Sequence, residues 1–264
     1  MSEPILVAID DGIATVTINR ADRLNAMDSR AHLALSQALD RLADDAAVRV
    51  IILTGAGDKA FSVGRDLKEL AEVEEMGAEA RSVVDARWAK ITRLTDRFDY
   101  PKPIIARVQG LALGGGFELA LACDLIVASE SASFAMPEAR RGLIPFAGGV
   151  HRLPRQIPPK AAMGYLLTGR SMSAARAYEL GLVNEVVPAD QLDDAIARWI
   201  ADIIACAPLS IRSIKQCVSE GLGLPLADAM AAAYPAEEAR KASQDAVEGP
   251  RAFTEKRPPR WTGS

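Results

Sequence analysis

Three consecutive glycines, Gly114–Gly116, separate a strand-like run, Ile104–Val108, from an apolar helix-forming run, Phe117–Ala122. A strand that becomes a helix through side-chain-free backbone serves one of two ends. Either the helix packs closely on a sheet, or a ligand approaches the N–H groups at the helix N-terminus. Both ends belong to a layered α/β structure, and the flanking pattern agrees. β-Branched runs at Ile5–Ile9 and Ile13–Ile18 enclose Asp10-Asp11-Gly12 as a hairpin. Asp28 precedes a helix carrying Leu33, Leu35, Leu39 and Leu42 at near-helical spacing. Val48–Leu53 reads as a buried strand ending at Thr54-Gly55-Ala56-Gly57. Residues 66–99 lack proline and repeat apolar positions (Leu67, Leu70, Val83, Val84, Trp88, Ile91, Leu94), so they read as mostly helical until Pro101 and Pro103. Strands are expected again at Asp124–Ala128, Phe134–Met136 and Leu182–Val187.

Beyond about Pro159, helices dominate: 160–168, 173–180, 190–205, 208–220 and 225–247. The prolines of the closing EGPRAFTEKRPPRW argue against further regular structure. Strand–helix alternation followed by helices reads as an α/β core over 1–200 with a helical region over 201–264.

Composition removes several function classes. A formal charge of −4 offers no general attraction to nucleic acid or anionic lipid, so local groups must hold any anionic ligand. Cys123, Cys206 and Cys217 form no CxxC, and His32 and His151 show no HExxH spacing, so neither disulfide framework nor metal site is expected. The opening MSEPILVAIDDG has no basic region or long apolar run, unlike a secretory signal. Arg107, Glu118 and Asp124 cut the apolar stretch of 104–128, leaving nothing long enough to span a bilayer. A cytoplasmic protein is expected.

The chemistry-bearing groups gather near glycine turns. Glu118 stands in the apolar run after the three glycines, where a carboxylate is costly unless paired or used; it also suits the helix dipole. Glu138 follows Met136-Pro137, beside Arg140 and Arg141, and reads either as a solvated loop acid or as a second cleft carboxylate. Two such acids in one cleft titrate together, one holding a proton while the other stays ionised. That division suits adding or removing water across a polarised double bond. Phe61–Leu67 is a second turn whose N–H groups are candidate oxyanion donors. It is also a near-miss nucleophile elbow, A-x-S-x-G at Ala60–Gly64, but Ser62 would need a histidine base and only His32 and His151 exist. A dinucleotide fingerprint fails at Leu119, and no P-loop lysine follows the glycines.

At these residues the sequence resembles the crotonase (enoyl-CoA hydratase/isomerase) superfamily along nearly its whole length. Asn19–Met27 is similar to the family's coenzyme A-contacting segment, and Phe61–Leu67 to its F-S-x-G-x-D-L. Pro103–Glu118 resembles P-x-I-A-x-V-x-G…G-G-G-x-E, and Phe134–Gly142 resembles F-x-x-P-E-x-x-x-G. Pro145–Leu153 resembles P-x-x-G-G-x-x-R-L, and Thr168–Val183 resembles T-G…A…G-L-V. Gly148–Lys160 and Glu248–Trp261 are particularly similar to carnitinyl-CoA (crotonobetainyl-CoA) dehydratases.

The resemblance implies an α/β, crotonase-like spiral of ββα units with a helical C-terminal trimerisation region, assembled as a homotrimer or as a hexamer of two trimers. It implies an enzyme adding water reversibly across the C2=C3 bond of a 2-enoyl-CoA thioester, coenzyme A being part of the substrate and no other cofactor or metal being needed. Glu118 and Glu138 fall on the catalytic carboxylates, and the backbone N–H groups of Arg65 and Gly115 on the oxyanion hole. Arg23, Leu24, Ala26, Val63, Asp66 and Leu67 fall where the family contacts coenzyme A and the thioester. Phe253 and Lys256 match a C-terminal F-x-x-K that reaches a neighbouring subunit's ligand. Val63 and Arg65 depart from the small residues usual there, so Arg65 either swings outward or narrows the acyl pocket. A Δ3,Δ2-enoyl-CoA isomerase, a carnitinyl-CoA dehydratase-type hydro-lyase and a non-catalytic acyl-CoA-binding protein are the alternatives; Glu118, dispensable to an isomerase, favours hydration.

Overall fold

The computed structural model describes residues 3–264; the side chains of Leu70, Glu74 and Ala80 lie outside it, so Leu70's place in the apolar period of 66–99 is not described. The chain forms two compact units. One comprises residues up to Arg97 with Ile104–Ile196, the other Phe98–Pro103 with Ala197–Ser264. Among the described residues, no helix is long and apolar enough to cross a membrane.

The first unit opens with the expected hairpin, β1 (Ile5–Asp10) antiparallel to β2 (Ile13–Ile18). Asp11 and Gly12 close it with φ of 42° and 77°, the paired positive angles that a two-residue turn needs to match strand twist. α1 (Ser29–Asp44) starts where Asp28 accepts a hydrogen bond from Ala31 N at 2.8 Å, and it buries Leu35, Leu39 and Leu42.

Strand–strand–helix units follow. β3 (Val50–Gly55) and β4 (Ala60–Ser62) lead into α2 (Leu67–Glu75) and α3 (Ala78–Trp88). β5 (Ile104–Val108) and β6 (Leu111–Leu113) lead into α4 (Gly115–Leu121). β7 (Leu125–Ser129) and β8 (Ser133–Ala135) lead into α5 (Gly149–Gln156). α6 (Pro159–Thr168), β9 (Met172–Ser173), α7 (Ala174–Glu179) and β10 (Glu185–Val187) complete the unit. The first strand of each pair enters a six-stranded sheet ordered β1-β2-β3-β5-β7-β10; the second enters a four-stranded sheet ordered β4-β6-β8-β9. The pairings from β2 through β10 in the first sheet are parallel. Ile51, Leu53, Ile104 and Ile105 are fully buried, as central parallel strands covered on both faces require.

Two buried amides tie the sheets' turns together. Gln109 Nε2 donates to the carbonyls of Gly55 and Ala60, each at 2.8 Å, and Asn25 Nδ2 donates to Ala60 O at 2.7 Å. Asn25 holds φ 56°, a left-handed angle that asparagine tolerates better than most residues.

α8 (Leu192–Ala205) passes from the first unit into the second, which also holds α9 (Pro208–Gly221), α10 (Leu226–Ala231), α11 (Pro235–Lys241) and α12 (Asp245–Thr254). Four expectations need correction. The helix expected over 66–99 breaks at Gly77 and stops at Trp88, because glycine begins a new helix there rather than continuing the old one. β4 and β6 were not foreseen; at three residues each, they show no period to read. The single helix expected over 225–247 is three short ones. α12 runs through Pro250, where no regular structure was expected, because tertiary contacts offset the lost hydrogen bond. Buried Asp245 accepts from the N–H groups of Thr262 and Gly263 at 2.7 and 2.9 Å, Glu248 pairs with Arg257, and Trp261 Nε1 donates to Ala205 O at 2.7 Å.

Candidate active site

Two turns of the first unit are pressed against each other. Gly64 has φ 81°, and a Cβ on it would stand 2.5 Å from Gly115 N; a Cβ on Gly116 would stand 2.0 Å from the Ser62 carbonyl oxygen. Close approach is what demands glycine at both positions. The buried Ser62 hydroxyl braces the first turn, donating to Asn25 O at 2.7 Å and accepting from Gly64 N at 3.1 Å. It is a strut rather than a nucleophile. His32 stacks on Trp88 with ring centroids 5.1 Å apart, and burial, then Arg93 and Arg65, push its pKa down to about 4.

The Leu24–Met27 segment runs beside this turn. Val63 N donates to Leu24 O at 3.2 Å, Met27 N to Gly64 O at 2.7 Å, and Asp66 N to Met27 O at 3.0 Å. Leu24, Ala26, Val63, Asp66 and Leu67 are thereby gathered on one ridge, Leu24 and Leu67 exposed, Ala26 and Asp66 buried. The Asp66 carboxylate is committed to structure: it caps α2 through Lys68 N at 3.1 Å and pairs with Arg20 at 3.0 Å. Burial alone would raise its pKa, but Arg20 and the N–H groups of the helix start outweigh that and hold it below the ordinary range. Arg23 is exposed, its nearest acid being Asp22 at 3.8 Å. The Arg65 guanidinium lies over the Trp88 ring, 5.3 Å from its centroid. Phe253 and Lys256 belong to the second unit, where Phe253 is 86% exposed.

The carboxylates flank the glycine turn. Glu118, in the first turn of α4, is only 3% exposed, and its Oε1 accepts from Gly149 N at 2.8 Å. Burial raises its pKa above the usual carboxylate range and the Glu138 charge adds to this, while the N–H groups of Gly149 and Ala147 and the charge of Arg93 oppose it. Glu138 begins a one-turn helix after Pro137. Its Oε2 is buried without a hydrogen-bond partner among the described residues, and burial raises its pKa too, against its own N–H and Arg141.

The approach distances define the convergence. A Cβ on Gly114 would stand 2.9 Å from Glu138 Oε1; a Cβ on Gly115 would stand 3.5 Å from Arg65 N and 3.9 Å from Glu118 Oε2. Gly115 is the first residue of α4, so its N–H has no acceptor within the helix. Neither that N–H nor the one of Arg65 donates a hydrogen bond among the described residues. Two amide donors and two acids of raised pKa therefore border the space above one turn. Such a set can polarise a carbonyl and pass protons. The Gly149 N–H as holder of Glu118 was not anticipated, although the Gly148-Gly149 pair ahead of a short amphipathic run was the available signal.

Known proteins share this architecture. A family model for enoyl-CoA hydratase/isomerase matches residues 8–264. Carnitinyl-CoA dehydratase of Salmonella enteritidis is 40% identical over 270 aligned positions that cover 100% of both chains. The crystal structure of enoyl-CoA hydratase from Bacillus anthracis superimposes with a TM-score of 0.89 at 35% identity, covering 99% of this chain and 100% of that one. That of enoyl-CoA hydratase from Mycobacterium marinum gives 0.87 at 40% identity with 100% of both covered. The fold is that of the crotonase superfamily, and the protein is a hydro-lyase of crotonase type. Within that superfamily the chain belongs to the enoyl-CoA hydratase/isomerase family.

Proposed function

We propose that this protein adds water reversibly across the C2=C3 bond of a 2-enoyl-CoA thioester. The observation that carries this reading is the meeting of Arg65 N, Gly115, Glu118 and Glu138 within about one side chain's reach of the Gly114-Gly115 backbone. The thioester oxygen sits between the N–H groups of Arg65 and Gly115. As electrons move onto that oxygen, fixed dipoles in a water-poor site stabilise the charge, each donor being worth roughly 3–4 kcal/mol.

Glu118, with Oε1 held by Gly149 N–H, turns its other oxygen to the water and takes its proton as oxygen attacks C3. Glu138, its Oε2 without a hydrogen-bond partner among the described residues and its pKa raised, delivers a proton to C2. Leu24, Ala26 and Val63 line the thioester and coenzyme A side of the ridge, with Arg23 and Leu67 at its exposed edges. Phe253 and Lys256, together with exposed Leu222, Leu226 and Met230, support a helical unit that packs against further copies in a trimer or a pair of trimers.

Loss of the conjugated enoyl absorbance, measured over short, long, branched and polar 2-enoyl-CoA thioesters including crotonobetainyl-CoA, tests the reading. At least one thioester is expected to turn over, with the 3-hydroxyacyl product retaining the thioester. Conversion of 3-enoyl into 2-enoyl thioesters without consumption of the latter would replace hydration by isomerisation. Binding without any turnover would leave an acyl-CoA-binding protein.

A further inference from the structure

Behind the Gly64–Arg65 turn, residues 20–28 form a strap, and one largely buried cation fastens it. Met27 pairs with Arg65 as a one-residue parallel bridge: Met27 N donates to Gly64 O at 2.7 Å, and Met27 O accepts from Asp66 N at 3.0 Å. Bonds that flank Arg65 in this way leave its own N–H on the opposite edge of the chain. That edge faces Gly115, where a Cβ would stand 3.5 Å from Arg65 N. The aim of the Arg65 amide therefore follows the position of Met27.

Arg20 sets that position from outside the bridge. Its Nη1 donates to the carbonyl of Ala26, and its Nη2 meets Asp28 Oδ2 and Asp66 Oδ2, each at 3.0 Å. Ala26 and Asp28 flank Met27 in the chain, and Asp66 follows Arg65, so the three partners bracket the bridge. Each carboxylate has a second anchor: Asp28 caps α1 at Ala31 N, and Asp66 caps α2 at Lys68 N. The base of the Arg20 side chain is fixed too, since Arg20 N donates to Asn25 Oδ1 at 3.1 Å and Arg20 O accepts from Asn25 N at 2.9 Å. With the Arg20 side chain 17% exposed and that of Asp66 9%, water competes little for these contacts. A planar fork can serve a carbonyl and two carboxylates at once, which an ammonium on a flexible stem cannot.

We propose, resting on the hydratase reading, that Arg20 is a positioning residue for the oxyanion hole: by joining Ala26 O, Asp28 and Asp66 it fixes the Met27–Arg65 bridge and holds the Arg65 N–H at the thioester oxygen. Without the guanidinium, two carboxylates that now meet one nitrogen face each other as like charges and move apart. Asp66 adjoins Arg65 in the chain, so the turn moves with it. The hole matters most as charge develops on the oxygen, which puts the loss on kcat rather than on KM.

The test combines steady-state kinetics on 2-butenoyl-CoA with the infrared carbonyl stretch of the bound thioester, labelled with carbon-13 at that carbonyl. Arg20→Met is expected to lower kcat about 10²-fold, the scale of a misplaced catalytic group, and Arg20→Lys about tenfold, with KM in both within about threefold of the wild type. In both variants the carbonyl stretch should return toward the free value. Should Arg20→Met not fold by circular dichroism, Arg20→Lys carries the same reading. A merely structural role would lower the thermal midpoint and leave kcat per folded molecule and the carbonyl stretch at their wild-type values; that result overturns the inference. A wild-type protein that shifts the bound carbonyl yet hydrates no thioester overturns the hydratase reading instead, and the stretch in the variants still decides the role of Arg20.

Discussion

Glu138→Gln is expected to lower hydration turnover by about 10²- to 10⁴-fold, the range for a positioned general acid, while the protein folds at least as firmly as the wild type. The second half of this expectation follows from burial. Glu138 Oε2 is shut away without a partner among the described residues, and its pKa stands above the ordinary glutamate value. A folded pKa above the unfolded one means the native state binds the proton more tightly. Stability is then fullest below the unfolded pKa and declines as pH rises through the folded one. Glutamine removes that decline. The thermal midpoint of Glu138→Gln should therefore exceed the wild type's at alkaline pH, with the gain vanishing in acid. A variant that is both inactive and destabilised at high pH would point to a structural role; a fully active one would remove Glu138 from the mechanism.

Gly64→Ala is expected to cost about 10²- to 10³-fold in kcat, comparable to losing an oxyanion donor. The new Cβ would lie 2.5 Å from Gly115 N and 3.0 Å from Gly116 N, both backbone atoms that yield only by moving the turn. It would thus spread the Arg65 and Gly115 amides apart. Because φ is 81°, the substitution also strains the backbone by roughly 1–3 kcal/mol. Gly181→Ala separates the two effects, since Gly181 has φ 77° but nothing within 4 Å of a Cβ. It should lose stability to a similar degree and keep its turnover. Equal activity losses in both variants would mean that strain alone, not the hole, explains the Gly64 result.

The parts legible in the sequence were those with local causes. Asp10-Asp11-Gly12 announces a two-residue turn, Asp28 a helix start, and Gly114–Gly116 a close approach, because each residue type is demanded by its own backbone angle or cap. Glu118 was legible as a costly acid beside a glycine turn, Glu138 as either a solvated loop acid or a second cleft carboxylate. What was not legible depends on partners distant in the chain. Gly149 N reaches Glu118 across 31 positions, and the Arg152 guanidinium finds Thr95 O across 57. β4 and β6 are too short to show alternation, yet each gains its place by pairing with a neighbour in the four-stranded sheet. α12 survives Pro250 because the chain's own end, from Arg257 to Gly263, folds back to hold Glu248 and Asp245. The Asp66 carboxylate belongs with these, pairing with Arg20 across 46 positions as well as capping α2.

Difference infrared spectroscopy of bound 2-butenoyl-CoA, carrying carbon-13 at the thioester carbonyl, interrogates the amide pair without waiting for turnover. With Arg65 and Gly115 both donating, the carbonyl stretch of the bound thioester should move to lower frequency than in water and return toward the free value in Gly64→Ala. A bound carbonyl in the wild-type protein that absorbs where the free thioester does would contradict the account.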